Sequence, residues 1–257
     1  MTHAITDGRG YALAKAEEGS PTPTLYLYDV LGVDVLGGIA ARQVVEDLAA
    51  LGTAEALDVR VNSPGGDVFE GIAVYNALVR FPGKVTVHVD GLAASIASLV
   101  ALAGDRTFVA ENAMLMVHRP WTAVVGDAED MRQQAAILDK AWTAMLATYA
   151  RGTGRRAESL AQKVEGASGE WWMTAEEAIA AGFADAVEKP TKAAAVFGLA
   201  RFRHVPERLA ASAAEAAAPP AAVRVAEIAV PRASRAASAE DRAAARRRVV
   251  DVLRLGA

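Results

Sequence analysis

The alternation of short apolar strands with helices, punctuated by glycine, most constrains what this chain can fold into. Leu57-Asp-Val-Arg-Val61 alternates as a strand. The breakers Ser63-Pro-Gly-Gly66 follow, and Val68, Ile72, Tyr75, Leu78 and Val79 then recur at helical spacing up to Arg80. A second strand, 84–89, stops at Gly91 and gives way to a small-residue helix, 93–103, closed by Gly104. On the N-terminal side, a strand at Leu25–Leu31 ends at Gly32, and a helix from Ile39 to Leu51 is stopped by Gly52. On the C-terminal side, short strands are predicted at 106–110 and 113–117, with helices at 127–150 and 157–164. Thr174-Ala-Glu-Glu177 is a capping box that opens a helix at 175–181, with Gly182 at its C-terminus. Strands alternating with helices predict layered α/β architecture.

Composition narrows the function classes. The chain has no cysteine, which excludes disulfides and thiolate catalysis. His3, His88, His118 and His204 are scattered and form no H-E-x-x-H pair, so no metal site is expected. No apolar run approaches the ~18 residues of a membrane span, and residues 1–19 lack the basic and apolar regions of a signal peptide. A cytoplasmic protein with no membrane association is expected. Charge is uneven: residues 191–257 carry 12 Lys/Arg against 6 Asp/Glu, leaving 15 against 25 on residues 1–190. An acidic body disfavours nucleic acid as a partner. These features divide the chain into a flexible N-terminal arm (1–23), an α/β domain (24–189) and an Ala/Arg-rich tail (190–257). The tail reads as a linker or disordered segment, with 238–255 as a candidate interaction helix.

Three places carry candidate chemistry. A serine hydroxyl needs a base, a group that orients the base, and donors for an oxyanion. Ser95 falls where a strand turns into a helix, so the Ile96 N–H is one candidate donor. Gly65-Gly66 lets bare backbone approach a substrate carbonyl, with the Gly66 N–H as a second. His118 ends an apolar strand just before Arg119-Pro120, and an unperturbed imidazole titrates near ~6.5, which suits a base. By residue type alone each also has an ordinary reading: Ser95 as a helix cap, Gly65-Gly66 as a turn, His118 as a hydrogen-bonded structural histidine. Ser98 competes as nucleophile, although packing suits its deeper place in the helix. His88, inside a strand, reads as structural.

Together these segments resemble the ClpP serine protease family. The resemblance rests on VNSPGGDVFEGIAVYNAL (61–78), VDGLAASIASLVALAG (89–104), AMLMVHRP (113–120), Thr153-Gly154 and MTAEEAIAAGFADAV (173–187), in family order and at close to family spacing over roughly 24–188. It implies the ClpP/crotonase fold of repeated ββα units, followed by a disordered or partly helical tail. It places Ser95 as nucleophile, His118 as general base, and the Gly66 and Ile96 amides as the oxyanion hole. The third triad position, an Asp in the family, is here Glu170 before Trp171-Trp172, with Asp185 as an alternative. No cofactor is implied.

SPGGDVFEGIAVYNAL, DGLAASIAS, HRPW and EWWMTAEEA further resemble the ClpP-related head maturation proteases of tailed phages and prophages, which cleave scaffold and capsid proteins. The axial-loop segment of housekeeping ClpP is not recognisable in residues 1–24, which argues against an unfoldase partner. A ring-shaped homo-oligomer is expected, with helix 127–150 at ring–ring contacts. The competing readings are a housekeeping ClpP subunit working with an AAA+ unfoldase, a Ser–Lys peptidase using Lys84 or Lys140, a crotonase, and an inactive structural homologue.

Overall fold

A computed structural model describes residues 10–14, 22–33 and 38–189. Its central sheet is built on four parallel strands: β2 (Thr24–Tyr28), β3 (Ala56–Ser63), β4 (Lys84–Ala94) and β5 (Arg106–Ala110). A short strand, β8 (Ala186–Glu188), extends it beyond β5 in parallel. At the other edge β1 (Gly10–Ala14) pairs antiparallel with β2. The sequence predicts a flexible arm here, because residues 1–23 are polar and contain Gly and Pro. Pairing with Thr24–Tyr28 supplies the ladder that orders Gly10–Ala14.

Period-2 alternation decides the two faces of the sheet. Leu25, Leu27, Leu57, Val59, Val61, Val85, Val87, Val89 and Val109 point into one core. Against them pack α1 (Ala41–Ala50), α2 (Val68–Val79) and α3 (Ile96–Ala101), through Val44, Leu48, Val74, Leu78, Leu99 and Val100. Each fully buried Leu or Val side chain contributes about 1.5–3 kcal/mol. The opposite face carries a polar network. Asp90 is buried, Arg60 grips it through both Nε and a terminal nitrogen, and the Tyr28 hydroxyl donates to it. On the same face the His88 ring stands 3.0 Å from a Glu188 carboxylate oxygen, consistent with the structural role read for His88.

β4 differs from the expected strand in a way that matters for function. The sequence reading ended it at Gly91, whereas it runs on to Ala94. Val61 pairs with Val89 but Ser63 pairs with Ala93, so β4 carries two extra residues against β3 at this point. The Asn62 side chain fills the irregularity by accepting from the Leu92 N–H at 3.1 Å. A Cβ on Gly91 would sit 2.9 Å from that amide oxygen. Gly91 therefore lies within the irregular register of a continuous strand, where Asn62 leaves no room for a side chain. Beyond it, Leu92–Ala94 leaves β5 and pairs with β6 (Met114–His118), which pairs antiparallel with β7 (Glu170–Thr174). The helix expected over 93–103 shrinks to Ile96–Ala101 as a result.

α4 (Ala128–Thr153) is the longest helix among the described residues. Asp127 and Asp130 form a reciprocal capping box at its start. It passes the predicted end because its left-handed stop is Gly154, φ 66°. Tyr149 lies on its buried side, while Met131 and Ile137 are exposed. α5 (Ala157–Gly166) follows, and α6 (Ala175–Ala181) opens with the predicted Thr174–Glu177 box. The tail and its candidate helix at 238–255 lie outside the described residues. Among the described residues, no helix is long and apolar enough to cross a membrane.

Candidate active site

The extension of β4 carries Ser95 out of the sheet and into register with the end of β6. Ala94 pairs with Met116, and the Ser95 N–H donates to the Met116 carbonyl at 2.9 Å. Ser95 adopts φ 55°, ψ −131°, a conformation that a non-glycine residue holds only when its surroundings over-determine it, at about 1–3 kcal/mol. His118 is the last residue of β6, and its Nε2 lies 2.7 Å from Ser95 Oγ. The two are 23 residues apart in the chain and meet because parallel pairing aligns the ends of β4 and β6. An imidazole nitrogen at this distance is placed to take the hydroxyl proton.

Glu170 starts β7 directly opposite His118 in the antiparallel register and is 6% exposed. Directly opposed residues of such a pair project on the same face, with Cβ atoms about 4.5–5.5 Å apart. The Trp172 indole N–H faces Glu170 Oε2 at 3.5 Å. The carboxylate is thus sheltered beside the strand end that carries the imidazole.

The glycine pair lies on the other side of the serine. The Leu31 N–H donates to the Gly65 carbonyl at 2.8 Å and the Asp67 N–H to the Leu31 carbonyl at 2.7 Å. In such a parallel bridge the residue between, Gly66, turns its own N–H away from Leu31. Gly66 lines a cleft of about 1020 Å³ together with Ser95 and His118. A Cβ on Gly66 would come within 2.0 Å of the Leu31 carbonyl oxygen, and one on Gly65 within 2.6 Å of Ser95 Cβ. The Ile96 nitrogen lies 3.2 Å from that second position. Only glycine fits at either position, and Gly65 packs directly against Ser95 and the Ile96 nitrogen.

Residues 32–191 match the family described as Clp protease. The chain belongs to the Clp protease family. Curated Clp relatives include the ATP-dependent Clp protease proteolytic subunit of Leuconostoc citreum, 32% identical over 69% of this chain and 94% of the relative. Subunit 1 of Protochlamydia amoebophila is 32% identical over 49% of this chain, which spans 62% of that relative. The Clp fold is seen in a solved structure of a ClpP1 point mutant from Listeria monocytogenes, at TM-score 0.56 and 19% identity, over 66% of this chain and 93% of that one. As a Clp protease the chain is a serine-type peptidase.

Within this Clp domain the rival residues lie elsewhere. Asp185 is engaged through both its N–H and its carboxylate, at 2.8 and 2.7 Å, by the backbone of Thr107 on β5. Lys84 stands at the far end of β4 and Lys140 is exposed on α4; neither lines the Ser95 cleft. Among the described residues no His, Asp and Glu cluster could hold a metal.

Two further residues take a place at the site that the sequence does not assign them. Ser98, read as packing, bonds through its hydroxyl to the Ser95 carbonyl, and Tyr149 of α4 reaches the same place. The spacing of Ser98, one turn beyond Ser95, was a usable signal. Nothing in the sequence marks Tyr149, which arrives from another helix.

Proposed function

We propose that this Clp protease is an endopeptidase with a Ser95–His118–Glu170 triad. His118 Nε2 takes the Ser95 proton as Oγ attacks the peptide carbonyl. The Gly66 and Ile96 amides receive the oxyanion. His118 then protonates the leaving amine, and water, deprotonated by the same imidazole, resolves the acyl-enzyme and regenerates the serine. Glu170 stabilises the imidazolium and fixes its ring. The observation that carries this reading is the 2.7 Å approach of His118 Nε2 to Ser95 Oγ. The test is labelling with a fluorophosphonate, which needs an activated serine. Labelling of the native chain and its loss in Ser95→Ala are expected; labelling that survives the substitution overturns the assignment. An inactive structural homologue would not label at all.

The proposed biological substrate is a phage scaffold or capsid protein, cleaved without ATP by a ring-shaped homo-oligomer. Its support is the resemblance of SPGGDVFEGIAVYNAL, HRPW and EWWMTAEEA to head maturation proteases. The names of the Leuconostoc and Protochlamydia relatives, both ATP-dependent proteolytic subunits, favour a second reading, a subunit fed by an AAA+ unfoldase. Co-expression with a capsid protein in a host lacking Clp unfoldases separates the two. Discrete cleavage supports the first reading. No cleavage there, with degradation once an unfoldase is supplied, supports the second.

A further inference from the structure

Two donors of Ser98 converge on the Ser95 carbonyl, and the Tyr149 hydroxyl stands beside them. The Ser98 N–H lies 3.0 Å from the carbonyl oxygen, the Ser98 hydroxyl 2.6 Å and the Tyr149 hydroxyl 3.4 Å. The two hydroxyls are themselves 2.8 Å apart. Proton counting orders them: Ser98 spends its single hydrogen on the Ser95 carbonyl, so Tyr149 donates to Ser98 Oγ. Both side chains are buried, Ser98 at 0% and Tyr149 at 1% exposure. Burial raises the Tyr149 pKa well above its usual value, which keeps the phenol protonated and donating. The ring is held in turn by Phe183, whose centroid lies 5.6 Å away, and Phe183 packs edge-on against Trp171 next to Glu170.

The Ser95 carbonyl and the Ile96 N–H belong to one planar peptide unit and point in opposite directions. Fixing the oxygen fixes the N–H. Hydrogen bonds to the oxygen also polarise the unit and strengthen its N–H as a donor, by about 10–30% per bond. The same contacts hold Ser95 in its strained backbone conformation. A buried serine and tyrosine need partners in any core, but that need does not require them to meet beside this carbonyl.

We infer that Ser98 and Tyr149 are positioning residues that orient and polarise the Ile96 oxyanion donor. This rests on the catalytic reading of Ser95 and Ile96 given above. The oxyanion forms only in the transition state, so their loss lowers the rate of the chemical step and leaves ground-state binding unchanged.

The test compares Ser98→Ala and Tyr149→Phe with the native full-length chain and with Ser95→Ala. A fluorophosphonate is used, whose phosphoryl oxygen takes the oxyanion's place as Ser95 Oγ displaces fluoride. The maximal inactivation rate constant and the half-saturating concentration are measured separately, along with the melting temperature. Each substitution is expected to lower the rate constant about 5–20-fold, less than the ~10²–10³-fold of deleting a donor outright, with half-saturation within about twofold. A fall only in the labelled fraction or in melting temperature, with the rate constant per labelled site unchanged, overturns the inference and leaves both residues structural. If Ser95→Ala still labels, it is the nucleophile assignment that fails.

Discussion

His118 and Glu170 face each other across the antiparallel β6–β7 pair, the last residue of one strand against the first of the other. This register sets Glu170 opposite His118 although the whole of α4 and α5 intervenes in the chain. With Glu170 as the orienting group, Glu170→Gln keeps the shape and removes the charge that favours imidazolium. A fall in kcat/KM of about 10²-fold or more is expected, with little change in melting temperature. Glu170→Asp, one methylene shorter, should retain more activity than Glu170→Gln. A rate equal to wild type in Glu170→Gln would reduce the site to a Ser–His pair.

Gly65→Ala tests the packing that brings the glycine pair against the serine. Gly65 has φ 90°, and a Cβ there would lie 2.6 Å from Ser95 Cβ and 2.7 Å from the Ala94 carbonyl oxygen. Neither neighbour can retreat without moving the end of β4. Fluorophosphonate labelling should drop by at least about 10²-fold, as for loss of an oxyanion donor. Far-UV circular dichroism and labelling, measured together, check this.

Asp90→Ala tests the polar face of the sheet. Asp90 is fully buried as a side chain and Arg60 is 19% exposed, so the substitution removes the guanidinium's two-point partner and leaves it the more distant Glu188 carboxylate at 4.0 Å. Breaking one partner of such a pair costs about 3–5 kcal/mol, and urea unfolding should register a loss of that order. The polar face lies across the sheet from the core helices, so labelling kinetics of the remaining folded protein should be close to native.

Alkaline pH provides a separate readout for Tyr149. Its folded-state pKa is raised, chiefly by burial, while an unfolded tyrosine titrates near ~10. Above that pH the unfolded chain loses a proton that the folded chain keeps. Stability is therefore fully present below ~10 and falls by about 1.4 kcal/mol per pH unit above it for this group. Tyr149→Phe lacks this contribution, so its stability curve should be shallower above pH ~10. Parallel curves for the two proteins would contradict the buried, neutral phenol.

Much of this molecule was legible in one dimension because its signals are local. Apolar alternation at 57–61 and 84–89 marked β3 and β4, and the Thr174–Glu177 box marked the start of α6 to the residue. Ser95, Gly66 and His118 stood out because each sits at a junction where a strand ends. Boundaries set by tertiary pairing were less legible. Gly91 carries a stop signal, yet β4 continues through it because Asn62 and β6 supply the partners that Leu92–Ala94 needs. Gly10–Ala14 has no strand signature strong enough to stand alone, and it is a strand only because β2 offers an open edge.

By itself, the sequence determined the α/β layering, the order of the motifs and the residues able to supply a nucleophile, a base and bare backbone amides, because hydrophobic period and residue chemistry are properties of short segments. Only the tertiary structure decided that Glu170 stands opposite His118, and that Ser98 and Tyr149 meet beside the Ser95 carbonyl. Those choices depend on strand register and helix docking between segments as far apart as the 54 residues from Ser95 to Tyr149, where a shift of one residue turns a side chain to the opposite face.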